Sequence, residues 1–338
     1  MTENAALRLA DIAASPAHVR ERAEALLVEL GRHIPFDASW IALAEPDGVR
    51  YTSLASTSLD ESTLRYLSSP RMAADIELTG ADRARPPFSG ADLPYPLEEL
   101  QTWADCLLPA GFHQALSVAL FGPGMGRHVG FVTLLFRREE SPTGVVRRAL
   151  SRLLPTLTLG IDPVRSMAAA ALLVRGSDAG VVLLPGRIGI GLIPGLPGHA
   201  LFAAGSELLS SARAVIDEGQ TYASFLWPWG GRHAPGGHVR VTVMGGDDGL
   251  RAVLTGIVVL SPAGDLRGLT PRELEVLGLV IDGRSNNEIA HELVVATRTV
   301  AAHMEHILAK LQAGSRTLAA IRAERAGLYV PAPRPRPA

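Results

Sequence analysis

The stretch that most constrains this chain is residues 269–328, where helix-capping signals and apolar residues at helical spacing follow one another at short intervals. Thr270 and Glu273 form a Thr-x-x-Glu capping box with Pro271 at the favoured first position, which predicts a helix starting at Pro271. Leu274, Leu277 and Ile281 recur at helical spacing, and Gly283 ends the segment. Ser285 and Glu288 make a second capping box, opening a short helix from Asn286 to about Leu293. After a turn, a third helix is predicted from about Thr297 to Gln312, and a fourth from near Ser315 to Gly327. A short helix joined by a tight turn to a longer one is the helix-turn-helix pattern.

On a helical wheel the third helix places Val300, Met304, Ile307, Leu308 and Leu311 on one stripe, which must face the other helices. Arg298, Ala302, Glu305 and His306 fall opposite, with Thr299 at the margin. The short side chains near its start let such a helix sink into a major groove. The stretch resembles the DNA-binding domain of LuxR-type transcription regulators. The resemblance is carried by the Leu269-Thr270-x-Arg272-Glu273 opening, the Ser285-Asn286-x-Glu288-Ile289-Ala290 segment, Thr299-Val300-x-x-His303 and the Lys310-Leu311 pair. It implies a regulator that docks on double-stranded DNA as a homodimer and works with RNA polymerase. The DNA-facing residues it implies are Ser285, Asn286, Thr297, Arg298, Thr299, Ala302, His303, Glu305, His306, Lys310 and Arg316, with Leu318, Ile321 and Arg322 for dimerisation. Three positions depart from the family. Ala296 stands where a capping Ser is usual, so Thr297 or water is expected to satisfy the first amides. Ala301 stands where Lys is frequent, and Glu305 where many members carry a polar or basic group.

The rest of the sequence excludes several partners for such a domain. Lys310 is the only lysine, so residues 1–265 supply neither the lysine of a phosphate-accepting receiver domain nor a P-loop. Cys106 is the only cysteine, which rules out an internal disulfide and a cysteine-built zinc site. No apolar run approaches the roughly 18–20 residues of a membrane span, and the N-terminus lacks the features of a signal peptide, so a soluble cytoplasmic protein is expected. The net charge of −2 gives no global attraction for nucleic acid. The basic residues of the C-terminal domain make it only weakly positive, so its affinity per monomer is expected to be modest.

With 338 residues the chain has room for several domains, and the predicted class is α+β multidomain. Residues 1–17 read as a frayed leader. A helix over 18–32, strands over 36–44 and 49–55, a short helix over 59–67, a loop over 83–96, a helix over 97–108, strands over 114–121 and 128–137 joined by the turn 122–126, and a closing helix over 143–154 follow. This order, over 18–160, is similar to a GAF domain: an antiparallel sheet with helices on its faces and a small-molecule pocket under the helical insert. Residues 171–262 are predicted as a strand over 181–184, a Gly/Pro-rich connection over 189–198, a helix over 202–217, and strands over 221–227, 238–244 and 250–260, which resembles a degenerate PAS domain. Ser261–Asp265 reads as the linker into an all-α four-helix domain over 266–328, and 329–338 as a mobile tail.

Little else in the sequence carries chemistry. His113, His128, His233 and His238 lack metal-ligand spacing on any one helix, and no cofactor is expected. Leu107 follows Cys106 where bilin-binding GAF domains have His, and beyond Trp40 and Tyr51 the residues of an acyl-homoserine-lactone pocket are missing. No catalytic constellation can be argued from order or spacing, so an enzyme is not expected. Three readings stay open for the N-terminal domains: sensing a small-molecule effector, dimerising or binding a partner protein, and catalysis. A dry apolar pocket favours the first, a filled core the second, and a cleft of perturbed titratable groups the third.

Overall fold

Strands in each half of the chain pair into two five-stranded antiparallel sheets. The computed structural model describes residues 3–122, 127–186, 190–193, 195–203, 205–229 and 237–332. The chain divides into two units, Met1–Ser166 and Met167–Ala338.

The first unit begins with α1 (Glu3–Ala14) and α2 (Val19–Gly31). The expected leader is thus a packed helix: Ala5, Leu9 and Ala13, four apart, are all buried. Next come the hairpin β1 (Ala38–Ala44) and β2 (Tyr51–Thr57), then α3 (Glu61–Leu67) and α4 (Pro70–Thr79). The sequence reading passed over α4, although Pro70 at its start and Gly80, left-handed at φ 61°, frame it. β3 (Phe88–Ser89) lies within the segment expected as a loop and pairs with β4 (Gln114–Phe121). The helix expected over 97–108 is instead a 3-10 turn at Leu97–Glu99 and a π turn at Trp103–Leu107. β5 (His128–Phe136) and α5 (Gly144–Ile161) complete the unit, and α6 (Pro163–Leu173) follows. Pro155 was expected to end α5, but Leu150, Leu153, Leu157 and Ile161 are buried on both sides of it, and that continuous apolar face outweighs the lost hydrogen bond. The sheet order is β2-β1-β5-β4-β3. Of the turn over 122–126, residues 123–126 lie outside the described residues.

The second unit holds β6 (Ala179–Leu183), β7 (Ile190–Leu192), α7 (Glu207–Asp217), β8 (Tyr222–Pro228), β9 (His238–Gly245) and β10 (Gly256–Pro262). Its order, β7-β6-β10-β9-β8, repeats that of the first sheet strand for strand. β7 falls where a Gly/Pro-rich connection was expected. β10 starts at Gly256 rather than 250, because Asp248–Leu250 forms a 3-10 turn. β10 also continues through Ser261 and Pro262, so the expected linker begins as strand.

Four helices end the unit: α8 (Pro271–Ile281), α9 (Asn286–Glu292), α10 (Thr297–Lys310) and α11 (Arg316–Ala326). Both capping boxes form as the sequence predicts. Their core of Leu274, Leu277, Ile289, Val300 and Ile307 takes in Leu226 from β8, which is fully buried. Sheet and helices are joined by polar contacts as well. Arg240 donates from Nη1 to Ala326 O (3.0 Å) and Gly327 O (3.2 Å), and from Nη2 to Ala263 O (3.0 Å). Tyr329 and Val330, expected to be mobile, are pinned: Leu226 N donates to Tyr329 O (2.8 Å) and Val330 N to Leu274 O (3.1 Å). Gly327 ends α11 at φ 58°, and a Cβ there would meet Ser224 O at 2.8 Å. Residues 333–338 of the tail lie outside the described residues.

Glu273 fixes the positions of α8 and α10. Its side chain is 2% exposed and closes the α8 cap by accepting from Thr270 N (2.7 Å). It also accepts from Lys310 Nζ at 2.7 and 2.9 Å. Burial alone would raise the pKa of Glu273, but the Lys310 ammonium and the Thr270 donors outweigh it and hold the carboxyl below its ordinary value. A carboxyl depressed in the folded state adds stability above its unfolded pKa, near ~4.3, and loses it as pH falls through the folded value. Lys310→Met should therefore cost about 2–3 kcal/mol at pH 7, since it strands a buried carboxylate. The loss should shrink below about pH 4, where that carboxylate is protonated. Amide hydrogen exchange of α8 and α10 in the two proteins at both pH values checks this.

Candidate functional site

The solvent face of α10 is the candidate nucleic-acid surface. Thr297, Arg298, Ala302, Glu305 and His306 are exposed along it, and Thr299 and His303 are half-buried at its margins. Val300, Met304, Ile307 and Leu311 are buried on the opposite side, with Leu308 packed beside them, as the wheel predicts. The helix starts at Ala296 without a side-chain cap. Thr297 does not supply one: its hydroxyl donates to Asn287 Oδ1 (3.0 Å) and ties the start of α10 to α9. Val294, in the turn before it, is 89% exposed and left-handed at φ 54°. For a β-branched residue that conformation costs roughly 1–2 kcal/mol.

The charged residues around this face are largely committed to the scaffold. Ser285 and Glu288 bond each other through the α9 capping box, at 2.7 and 2.8 Å. Arg316 donates to Asn286 Oδ1 (2.8 Å) and to Arg284 O. Arg272 pairs with Glu275 (2.6 Å) and donates to Leu293 O (2.5 Å), closing the end of α9. Lys310 is engaged by Glu273. Arg322, which the resemblance implies for dimerisation, donates within its own domain to Leu311 O (2.8 Å) and Gln312 O, closing the end of α10. Leu318 packs against the four-helix core, which leaves Ile321, 40% exposed, as the one apolar side chain of that trio open to a partner. Arg298 has no acceptor among the described residues. Past the end of α10, Arg267, Arg322, Arg325, Lys310 and Asp265 line a groove that sequence spacing did not reveal.

A second candidate site lies inside the first unit. The sheet face of β1, β4 and β5, α4, β3 and the two turns over 97–107 line a partly open cavity of about 70 Å³. Trp40, Phe88, Trp103 and Phe131 supply aromatic walls, with Met72, Ile76, Leu97, Leu100 and Leu107 among the aliphatic ones. No Lys, Arg or His lines it, and Asp75 is its one acidic residue. Asp75 Oδ2 accepts from Thr102 N (2.7 Å), while the buried Thr102 hydroxyl has no partner among the described residues. Ser117 Oγ and Thr133 Oγ1 share a hydrogen bond of 3.1 Å. Trp40 donates from Nε1 to Ser53 Oγ (2.6 Å).

The remaining candidates fall apart in space. His128 packs against Tyr51, Phe121 and Phe131, faces Gly130 O at 3.0 Å, and has its pKa lowered by burial. Burial likewise lowers His238, while His233 lies outside the described residues. No cluster that could hold a metal ion occurs among the described residues. Burial pushes the Cys106 thiol up, which makes it a poor nucleophile. Among the described residues no helix is long and apolar enough to cross a membrane.

Comparison with known proteins agrees with the geometry of the four helices. The family of bacterial regulatory proteins, luxR family, matches residues 267–323. The transcriptional regulatory protein LiaR of Bacillus subtilis is 47% identical over 57 residues, which are 17% of this chain and 27% of LiaR. The HTH-type transcriptional regulator MalT of Vibrio cholerae is 46% identical over 56 residues, 17% of this chain and 6% of MalT. The match thus spans only about a quarter of LiaR and a much smaller part of MalT. Among solved structures, the GAF domain of an Acinetobacter phosphoenolpyruvate-protein phosphotransferase aligns with a TM-score of 0.34 and 14% identity, over 53% of this chain and 100% of that domain. On the spacing of its caps, the packing of its four helices and this match, the C-terminal domain of the chain belongs to the LuxR family of bacterial regulatory proteins.

Proposed function

We propose that this chain is a sequence-specific, DNA-binding transcription regulator of the cytoplasm that acts as a homodimer alongside RNA polymerase, and that its first unit senses a small molecule. It is a regulator rather than an enzyme. The observation that carries the DNA-binding role is the solvent face of α10, where Arg298, Ala302 and His306 project from a helix whose other side is locked into the scaffold. Short residues at its start allow close approach to a groove floor, and Arg298 has the reach and the donor geometry to read a guanine. The sensing role is supported by the cavity of about 70 Å³, small but unfilled and walled mainly by apolar side chains, since a unit used only for dimerisation has no need of an unfilled core.

Arg298→Ala should cost roughly 1–3 kcal/mol in operator binding and relax preference at one base pair. A gel-shift titration at fixed salt across single-base operator variants measures this; an even loss over all variants would place Arg298 on phosphate instead. Glu305→Lys should raise affinity for any DNA and steepen the salt dependence, because a carboxylate on this face repels phosphate. Titrations on operator and scrambled DNA at two salt concentrations read that change. Ile321→Glu should weaken pairing of two copies on an inverted repeat while leaving each domain folded, and sedimentation of the DNA complex would show the shift from two copies to one.

A further inference from the structure

We infer that the cavity of the first unit takes a small, flat, non-anionic molecule that carries an N–H or O–H donor, recognised at the corner formed by Asp75 and Thr102. The inference rests on the sensing role proposed above and names the chemistry of the effector.

Shape and polarity set the first limits. About 70 Å³ of space, open on one side, among Trp40, Phe88, Trp103 and Phe131 suits a single small ring system rather than a peptide or a nucleotide with its phosphates. Most polar side chains on the wall already have partners. Thr79 donates its hydroxyl to Asp75 O and Ile76 O, Ser89 is held by Asp92 and Arg147, and Ser117 and Thr133 bond each other. Two groups remain. The Thr102 hydroxyl is buried, with the whole residue 2% exposed, and it has no partner; leaving such a group unmade costs about 1–3 kcal/mol. Asp75 is 9% exposed and uses Oδ2 for Thr102 N, which leaves Oδ1 without a donor among the described residues. Hydroxyl and carboxylate therefore sit beside each other, joined through one residue's backbone.

The sign of the charge follows from what is missing on the wall. An anion brought into the cavity would lose its water beside Asp75 and find no cationic side chain lining the space. Arg147, which touches the wall residue Ser89, is paired with Asp92 at 2.5 Å. Arg85 stacks on the Phe88 ring, 3.6 Å from its centroid, and is not one of the lining residues. A ligand N–H or O–H gives Asp75 Oδ1 the donor it lacks, and Thr102 can bond the same polar edge. Nucleotides, organic phosphates and carboxylates are rejected by the same arrangement.

The test uses the full-length chain and three probes of one ring system: indole, 1-methylindole and indole-2-carboxylate. Ligand-observed NMR titration, with Trp fluorescence as a second readout, should give saturable binding of indole. Removing the donor in 1-methylindole should weaken binding at least tenfold, and the carboxylate should bind more weakly still. Thr102→Val is close to isosteric and keeps the backbone contact to Asp75, so it should fold; in it the preference for indole over 1-methylindole should narrow several-fold. Asp75→Asn should remove that preference and raise carboxylate binding, its fold checked by circular dichroism. Carboxylate binding equal to or tighter than indole in the wild-type chain would overturn the assigned chemistry while leaving the sensing role intact. Saturable binding by none of the three, nor by any member of a fragment set spanning anions, neutral molecules and cations, would overturn the sensing role and this inference with it.

Discussion

The buried carboxylate of Glu273 is the group on which the geometry of the DNA-binding domain depends. A carboxylate 2% exposed is tolerable only if its charge and lone pairs are matched, and here both oxygens are. Thr270 N completes the α8 cap on one of them, Lys310 Nζ reaches both, and the exposed His306 lies 3.8 Å away. One side chain thus joins the first turn of α8 to the last turn of α10. The apolar stripe of α10 fixes which face it buries, but apolar contacts are non-directional and leave sliding and rotation inexpensive. A three-way polar contact has direction, so it also fixes where along the scaffold α10 sits. The position of Arg298 on the solvent face of α10 is set from the far end of its own helix.

The same principle operates where the second sheet meets the helices. Leu226 gives apolar burial, while Arg240 gives direction by donating to three carbonyls around the end of α11. Carbonyls at a helix end lack intrahelical partners and carry the negative end of the helix dipole, which suits a guanidinium. The approach is close enough that glycine is required at two points. Gly327 leaves room for β8 at Ser224, and Gly278 leaves room for the backbone of Val330. To separate sheet and helices, Leu226 would have to be exposed and the donors of Arg240 released together. The two parts are therefore better regarded as one body than as domains on a flexible linker, and strand running through Ser261 and Pro262 agrees.

What was legible in the sequence was local. Capping boxes such as Thr270–Glu273 and Ser285–Glu288 involve residues three apart, so their chemistry is visible without a fold. Long strands such as β4 and β5 announce themselves by apolar content. The missed elements failed for identifiable reasons. α1 buries small residues, Ala5 and Ala13, that carry a weak hydrophobic signal. β3 and β7 are two and three residues long and are held by pairing with distant partners, which no short window contains. Pro155 looked like a stop because the burial that overrides it comes from the rest of the unit. In the candidate sites, the resemblance of the first unit to a GAF domain implied a pocket under the helical insert, but not that Thr102 would be left unbonded within it.

Basic residues were the least legible of all, and they bear most directly on function. Read from sequence, Arg272, Arg284, Lys310, Arg316 and Arg322 make the domain weakly basic, with Lys310 and Arg316 implied to face DNA and Arg322 a second copy. In the structure four of them bond carbonyls, carboxylates or an amide of their own domain, and Arg284 approaches Glu288 at 3.8 Å. A guanidinium at a helix end satisfies backbone acceptors that would otherwise need water, so these charges hold helices together first. Arg298 is left as the uncommitted cation on the α10 face among the described residues, with Glu305 about two helical turns further along the same exposed surface. Phosphate attraction, which is indifferent to sequence, is correspondingly weak on this face. On the function proposed above, discrimination between operator and other DNA would then come from base contacts and from the proposed pairing of two copies. A domain with few free charges binds wrong DNA poorly, and that is half of what specificity requires.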